Sequence, residues 1–172
     1  MNMASGLKST SESIAVSFSL QESAANTFTQ GRVDLQLNPL DQEVFVVTAI
    51  NLDPAAPDGT AGTNTQIHAS LSTTSQTGVL NLATTACLAT TVMNVRAQGF
   101  VDAGVGFTRT SQDTPDTNLD YIGIIATNDF FIQIEGTNNA AGKFLSGRLY
   151  GYRAKATSAI YAALVQSEVL SS

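Results

Sequence analysis

His68 and Cys87 are each the only residue of their kind in the 172-residue chain, so catalysis through an imidazole or a thiolate must use one of them. A Ser-His-Asp or Cys-His arrangement needs the histidine in reach of a nucleophile and an orienting acid, and a structural zinc site needs a full set of nitrogen and sulfur ligands. One His and one Cys cannot supply that set without carboxylates. His68 follows Ile67 on an alternating segment, which sends the two side chains to opposite faces. With Ile67 inward, His68 faces away from the core, and no chemical role is expected of it. Cys87 has no basic neighbour in sequence to lower its thiol pKa and reads as a small buried hydrophobe.

Carboxylates are more plentiful. Asp113, Asp116 and Asp120 fall in or beside one polar loop, and Asp53 and Asp58 in another. Calcium takes about six to eight oxygen ligands, which makes the first three calcium candidates and raises the same question for the second loop. The spacing is not that of an EF-hand, and Pro115 stands where a ligand would. Aspartates in turns also accept hydrogen bonds from nearby backbone, which is the preferred reading. Paired carboxylates for glycoside hydrolysis meet only in space, but sugar-processing sites normally add aromatic platforms, and the chain has no Trp. Gly104 and Gly106 are followed by Phe107, not by a further glycine and a helix, so they form no phosphate loop. Nucleophile, base and oxyanion donors are not supplied by the local sequence. The chain is read as a non-enzyme, with no cofactor and no small-molecule substrate.

The one asymmetric feature is basic. Lys143, Arg148, Arg153 and Lys155 are half of the chain's eight Lys and Arg residues, with Tyr150 and Tyr152 interleaved. On a strand, Arg148, Tyr150 and Tyr152 share one face while Leu149, Gly151 and Arg153 share the other. Arg148, Tyr150, Tyr152, Arg153 and Lys155 are therefore interface candidates. Such a surface could touch nucleic acid, a lipid headgroup or an acidic patch on a neighbour. It could also be a tyrosine-rich strand whose arginines pair with the chain's surplus carboxylates, which is the preferred reading. Between the two, Tyr and Arg can serve as anchors of a protein contact.

The formal net charge of −6 argues against the whole surface binding nucleic acid, which needs a positive footprint. Charged residues make up 13% of the chain, against roughly 25% in ordinary soluble proteins. Thr, Ser, Ala and Asn replace them. A surface of that kind costs little to desolvate and favours protein–protein contact; it equally suits exposed β faces. The single cysteine excludes an intrachain disulfide. Residues 1–10 contain no apolar core of a secretory leader, no N-glycosylation triplet occurs, and no apolar run approaches the roughly 20 residues that span a bilayer. Synthesis and folding in a cytoplasm are expected.

These residues must be positioned by strands. Residues 13–20 place Ile14, Val16, Phe18 and Leu20 on one face, and the period-two pattern returns at 27–37, 65–73, 92–100, 121–126, 130–135 and 144–156. Residues 43–52 are apolar on both faces, as in a central strand covered on each side. Residues 79–82 read as a short strand, and 83–91 as either a strand or a helical turn. Residues 102–106 read as a bend or bulge. Residues 38–41 are a turn; 53–64 and 110–118 are long loops. Residues 127–129 join their flanking strands as tightly as a hairpin, and 136–142 join the next pair. Residues 157–170 change to helical spacing at Ile160, Ala163, Leu164 and Ser167. The predicted organisation is a flexible N-terminal arm over 1–12, one β-sandwich domain over 13–156 and a C-terminal helix or tail over 157–172. About eight or nine strands in two antiparallel sheets make an all-β sandwich, with the jelly roll the leading arrangement. An immunoglobulin-like sandwich is the alternative, but its Cys…Trp…Cys core cannot form here.

Residues 128–138 (NDFFIQIEGTN) followed by 147–153 (GRLYGYR) resemble the closing strands of small virion proteins from non-enveloped or tailless viruses. With the strand count, the polar arm and the length, the chain is similar to single jelly-roll capsid proteins. That resemblance implies a virion structural subunit that tiles an icosahedral shell through edge contacts. Its partners would be copies of itself, as pentamers, hexamers or trimers, and other virion proteins. The 143–155 segment would be free to meet a genome or a membrane. Two alternatives stand beside it: a phage decoration, tail, fibre or filament subunit, and a ligand- or carbohydrate-binding β-sandwich.

Overall fold

Ten strands and one helix lie among the residues that the computed structural model describes, 6–97, 107–111 and 120–170. The strands are β1 (Leu7–Ser9), β2 (Ile14–Gln21), β3 (Thr29–Asp34), β4 (Glu43–Pro54), β5 (Thr65–Ser72), β6 (Cys87–Arg96), β7 (Phe107–Ser111), β8 (Gly123–Ile125), β9 (Asp129–Thr137) and β10 (Phe144–Ala156); the helix is α1 (Ser158–Leu170). A single 3-10 turn over Pro39–Asp41 precedes β4, where Asn38 accepts the Leu40 N–H through its side chain at 3.0 Å.

All pairings are antiparallel. One sheet runs β2-β10-β4-β8, and β1 continues the β2 edge along the far end of β10. The other runs β3-β9-β5-β6-β7. The pairs β2·β10, β3·β9, β4·β8 and β5·β6 nest around one another in sequence, from the outermost pair to the innermost. This nesting, rolled into two facing sheets, is the jelly roll.

The core lies between the sheets. Phe18, Phe45, Val47, Leu145 and Leu149 come from the first sheet, and Ile67, Ala69, Leu71, Phe130, Ile132 and Ile134 from the second, all buried. Each set occupies alternate positions, as a pleat requires. The first sheet buries part of its other face as well. Val44, Val46, Tyr152, Ala154 and Ala156 pack beneath Ile160, Tyr161, Leu164 and Val165 of α1. That second layer is why β4 is apolar on both faces. Thr157 starts the helix: its hydroxyl accepts the Ile160 N–H at 3.4 Å and its carbonyl the Tyr161 N–H at 2.8 Å.

Several expectations from the sequence need correction. The 127–129 segment is no hairpin: β8 pairs with β4 and β9 with β3 and β5, so the chain crosses between sheets there. The 136–142 segment crosses back in the same way. Residues 79–82 are not a strand; they belong to the connection between β5 and β6. The expected strand at 92–100 begins earlier, at Cys87. Part of the expected flexible arm is a strand instead. β10 has 13 residues, and β2 pairs only as far as Gly151, so Leu7–Ser9 pairs with the remaining ladder groups at Ala154 to Ala156. The bend expected at 102–106 and most of the loop at 110–118 lie outside the described residues.

Candidate functional site

Among the described residues, those with reactive side chains do not converge. His68 lies on β5, facing away from the core as its alternation requires, half-buried, with Nε2 3.1 Å from the Thr90 hydroxyl. Burial lowers its pKa, opposed by the Leu80 backbone and the Glu135 carboxylate. Cys87 opens β6, and its Sγ donates to the Ala89 carbonyl at 3.3 Å. Of the calcium candidates, Asp113 and Asp116 lie outside the described residues, and Asp120 is exposed. Among the described residues no three His, Cys, Asp or Glu side chains group to hold a metal ion. No helix among them is long and apolar enough to cross a membrane.

Two polar clusters that local sequence did not announce hold the loops. At one end of the sandwich the buried Glu22 carboxylate accepts backbone N–H groups from Thr27, Gly136 and Lys143, at 3.0, 3.0 and 2.8 Å. Beside it, the Asn26 side chain donates to the Asn139 carbonyl at 2.9 Å and accepts the Asn139 N–H at 2.8 Å. Asp58 accepts the Ala140 N–H at 2.7 Å and the Lys143 ammonium at 2.6 Å. Those two bonds, the backbone one first, hold the Asp58 carboxyl below its ordinary pKa. The second cluster lies outside the second sheet, where Gln133, fully buried, bonds Ser70 and Ser72 at 2.7 and 2.8 Å and Gln30 at 2.9 Å. Both networks are internally satisfied, which rigidifies their loops. Their members are separated by as many as 121 positions, so no local motif could reveal them.

The basic segment is divided by the geometry. Lys143 is engaged with Asp58. Tyr152 is buried under α1; burial, then the Asp120 carboxylate, raises its pKa. Arg153 turns to the opposite face, where its guanidinium donates to the Leu35 carbonyl at 3.0 Å and lies 3.8 Å from Glu43. Lys155 is exposed, with Lys8 opposite it on one side and Glu43 on the other. Like charges directly opposed on a ladder repel, and Glu43 offsets this.

Arg148 and Tyr150 remain on the outer face of the first sheet, beyond the reach of α1. Arg148 is exposed, Tyr150 half-buried, and Arg148 stands opposite Ser17 of β2 and Asn51 of β4. The bulge at Thr48, whose hydroxyl donates to the Tyr150 carbonyl at 3.2 Å, restores alternation so that Ala49, Asn51 and Asp53 line this same face. Ser17, Asn51, Asp53, Ser146, Arg148 and Tyr150 surround a shallow depression of about 350 Å³. Around it the face is finished by small uncharged side chains, Ala15, Ser19 and Ala49, and by Phe144 at 57% exposure. This arrangement can accept a flat, weakly polar surface; it offers no nucleophile activated by a base.

No family model matches this chain, and neither the curated proteins nor the solved structures include a significant match to it.

Proposed function

We propose that the chain is a structural subunit that assembles with copies of itself into a closed shell, a virion capsid protein of the single jelly-roll kind. The observation that carries this reading is the edge strand β2. Among the described residues it pairs on one side only, with β10. Its eight residues, IAVSFSLQ, include no Lys, Arg, Asp, Glu or Pro. An edge that is long and uncharged, with a free row of N–H and C=O groups, invites another chain. Monomeric proteins block such edges with charge or proline. Here the edge adjoins a charge-poor sheet face, so a neighbour meets little desolvation cost on either surface.

Function on this reading is mechanical: repeated contacts around symmetry axes, each of roughly 800 Å² per partner, hold the shell. No reaction is turned over. The location would be the virion, with the remaining basic side chains available to a genome or an underlying membrane. Expression of the full chain, followed by light scattering across a concentration series and negative-stain imaging, tests the proposal. Rings, capsomers or closed particles are expected. A strict monomer at the highest attainable concentration would overturn it.

A further inference from the structure

Resting on the assembly reading, we infer that the bare outer face of the first sheet is a two-fold contact with a second copy of this chain, closed by reciprocal Arg148–Asp53 pairs. Arg148 and Asp53 are the charged side chains lining the depression, one of each sign. Both are exposed. Neither makes an ion pair within the chain among the described residues. Arg148 pairs in register with Asn51, and Asp53 with Ser146. The two charges are therefore diagonal neighbours on adjacent strands, roughly 7–8 Å apart at the backbone.

An isologous contact must be complementary to itself. A two-fold axis lying in the contact plane, midway between these positions, sets Arg148 of each copy against Asp53 of the other. The same operation brings Ser17, Ser19, Ala15 and Ala49 into a flat sheet-on-sheet approach, which side chains this small permit. Tyr150 and Phe144 supply the larger apolar surface that anchors such contacts. Charge decides against a nucleic acid as the occupant: the two groups cancel, whereas phosphate binding needs a net positive footprint. The α1 helix covers the Val46, Tyr152 and Ala154 half of the sheet face and leaves the Arg148 half open.

Sedimentation velocity and light scattering on the full-length chain test the inference, with Arg148→Asp, Asp53→Arg and the double reversal compared with the parent. Each single reversal sets like charges against each other and is expected to weaken self-association about tenfold or more. The double reversal restores opposite pairs and is expected to return association to within about threefold of the parent. Ser17→Arg, at an exposed position that requires no repacking, is expected to weaken association without lowering the melting temperature. Circular dichroism and melting establish that each variant folds. Assembly that survives both single reversals unchanged would overturn the two-fold contact and leave the shell proposal standing. A parent chain that is monomeric throughout would overturn both. A glycan array that binds the parent and loses binding in Arg148→Asp, with no change in oligomeric state, would overturn the contact and assign the depression to a carbohydrate.

Discussion

Phe18 and Phe130 meet edge to face across the two sheets, their ring centroids 5.7 Å apart and their planes at 75°. Phe18 comes from the edge strand β2 and Phe130 from β9, so this contact ties the proposed assembly edge to the centre of the core. Phe130 is fully buried. Phe130→Ala is expected to cost about 3–5 kcal/mol, on the order of 10 °C in melting temperature for a chain of this size. A double-mutant cycle with Phe18→Ala should return a coupling of about 0.5–1.5 kcal/mol. Strictly additive losses in urea unfolding would show that the rings share a core without interacting.

Gly151 stands in the middle of β10 because nothing larger fits. A Cβ there would run into the Val46 carbonyl and approach the Phe45 ring to 2.6 Å. The neighbours are backbone and a packed aromatic, neither of which can step aside. Gly151→Ala is therefore expected to destabilise the fold by about 1–3 kcal/mol. Gly59→Ala is the control: no heavy atom lies within 4 Å of its added carbon, and a change within about 0.5 kcal/mol is expected. Equal effects of the two substitutions on the urea midpoint would refute the crowding explanation.

What the residue pattern revealed and concealed follows from the range of each force. β10 was legible to its end residues, although its apolar residues change face midway: Leu145 and Leu149 enter the inter-sheet core, and Tyr152, Ala154 and Ala156 lie under α1. The double-sided burial of β4 was legible too, since only a covered strand tolerates apolar residues on both faces. Ile160 and Leu164 of α1 announced themselves by helical spacing. The destination of β8 and β9 was not legible: a tight Thr127-Asn128-Asp129 turn looks alike whether the next strand pairs with the last or crosses to the facing sheet. The same limit hid Glu22: its donor Thr27 is five positions away, but Gly136 and Lys143 are 114 and 121 positions away. For the basic segment, alternation correctly placed Arg148 and Tyr152 on one face. It could not show that α1 covers Tyr152 and spares Arg148, because that depends on where the helix lies over the sheet.

Acid should act on this fold through two groups whose pKa values are lowered by folding. Burial disfavours the charged form of His68 and lowers its pKa. The unfolded chain then binds a proton more readily than the folded one, and stability rises with pH. The His68 contribution is present above its ordinary value of 6.5 and is lost as pH falls through the lower folded value. Asp58 behaves likewise from its ordinary value of 3.8 downward, because the Ala140 N–H and Lys143 stabilise its carboxylate. His68→Gln is expected to flatten the pH dependence of the melting temperature just below pH 6.5, and Asp58→Asn to flatten it below pH 3.8. Steeper slopes in either variant would reverse the assigned sign.

The α1 helix is the lid on one half of a continuous sheet face, and Tyr152 reports whether it is closed. Its hydroxyl titrates above the ordinary tyrosine value of 10.0 because the side chain is buried, with Asp120 adding to the effect. Leu164 packs into the same cluster from the helix side. Leu164→Asp places a charge against Val44, Val46 and Ala154, and an unpaired carboxylate in such surroundings is strongly unfavourable. The helix should lift while the sandwich, whose main core lies on the other side of the sheet, stays folded. Three changes are expected together: new binding of a hydrophobic dye, loss of helical signal in circular dichroism, and a fall in the Tyr152 titration toward its ordinary value in an alkaline absorbance titration. The exposed Ala162→Glu, which faces away from the sheet, should change none of them. If Leu164→Asp unfolds the whole chain in one step instead, α1 is not a separable lid but part of the unit that holds the two sheets together.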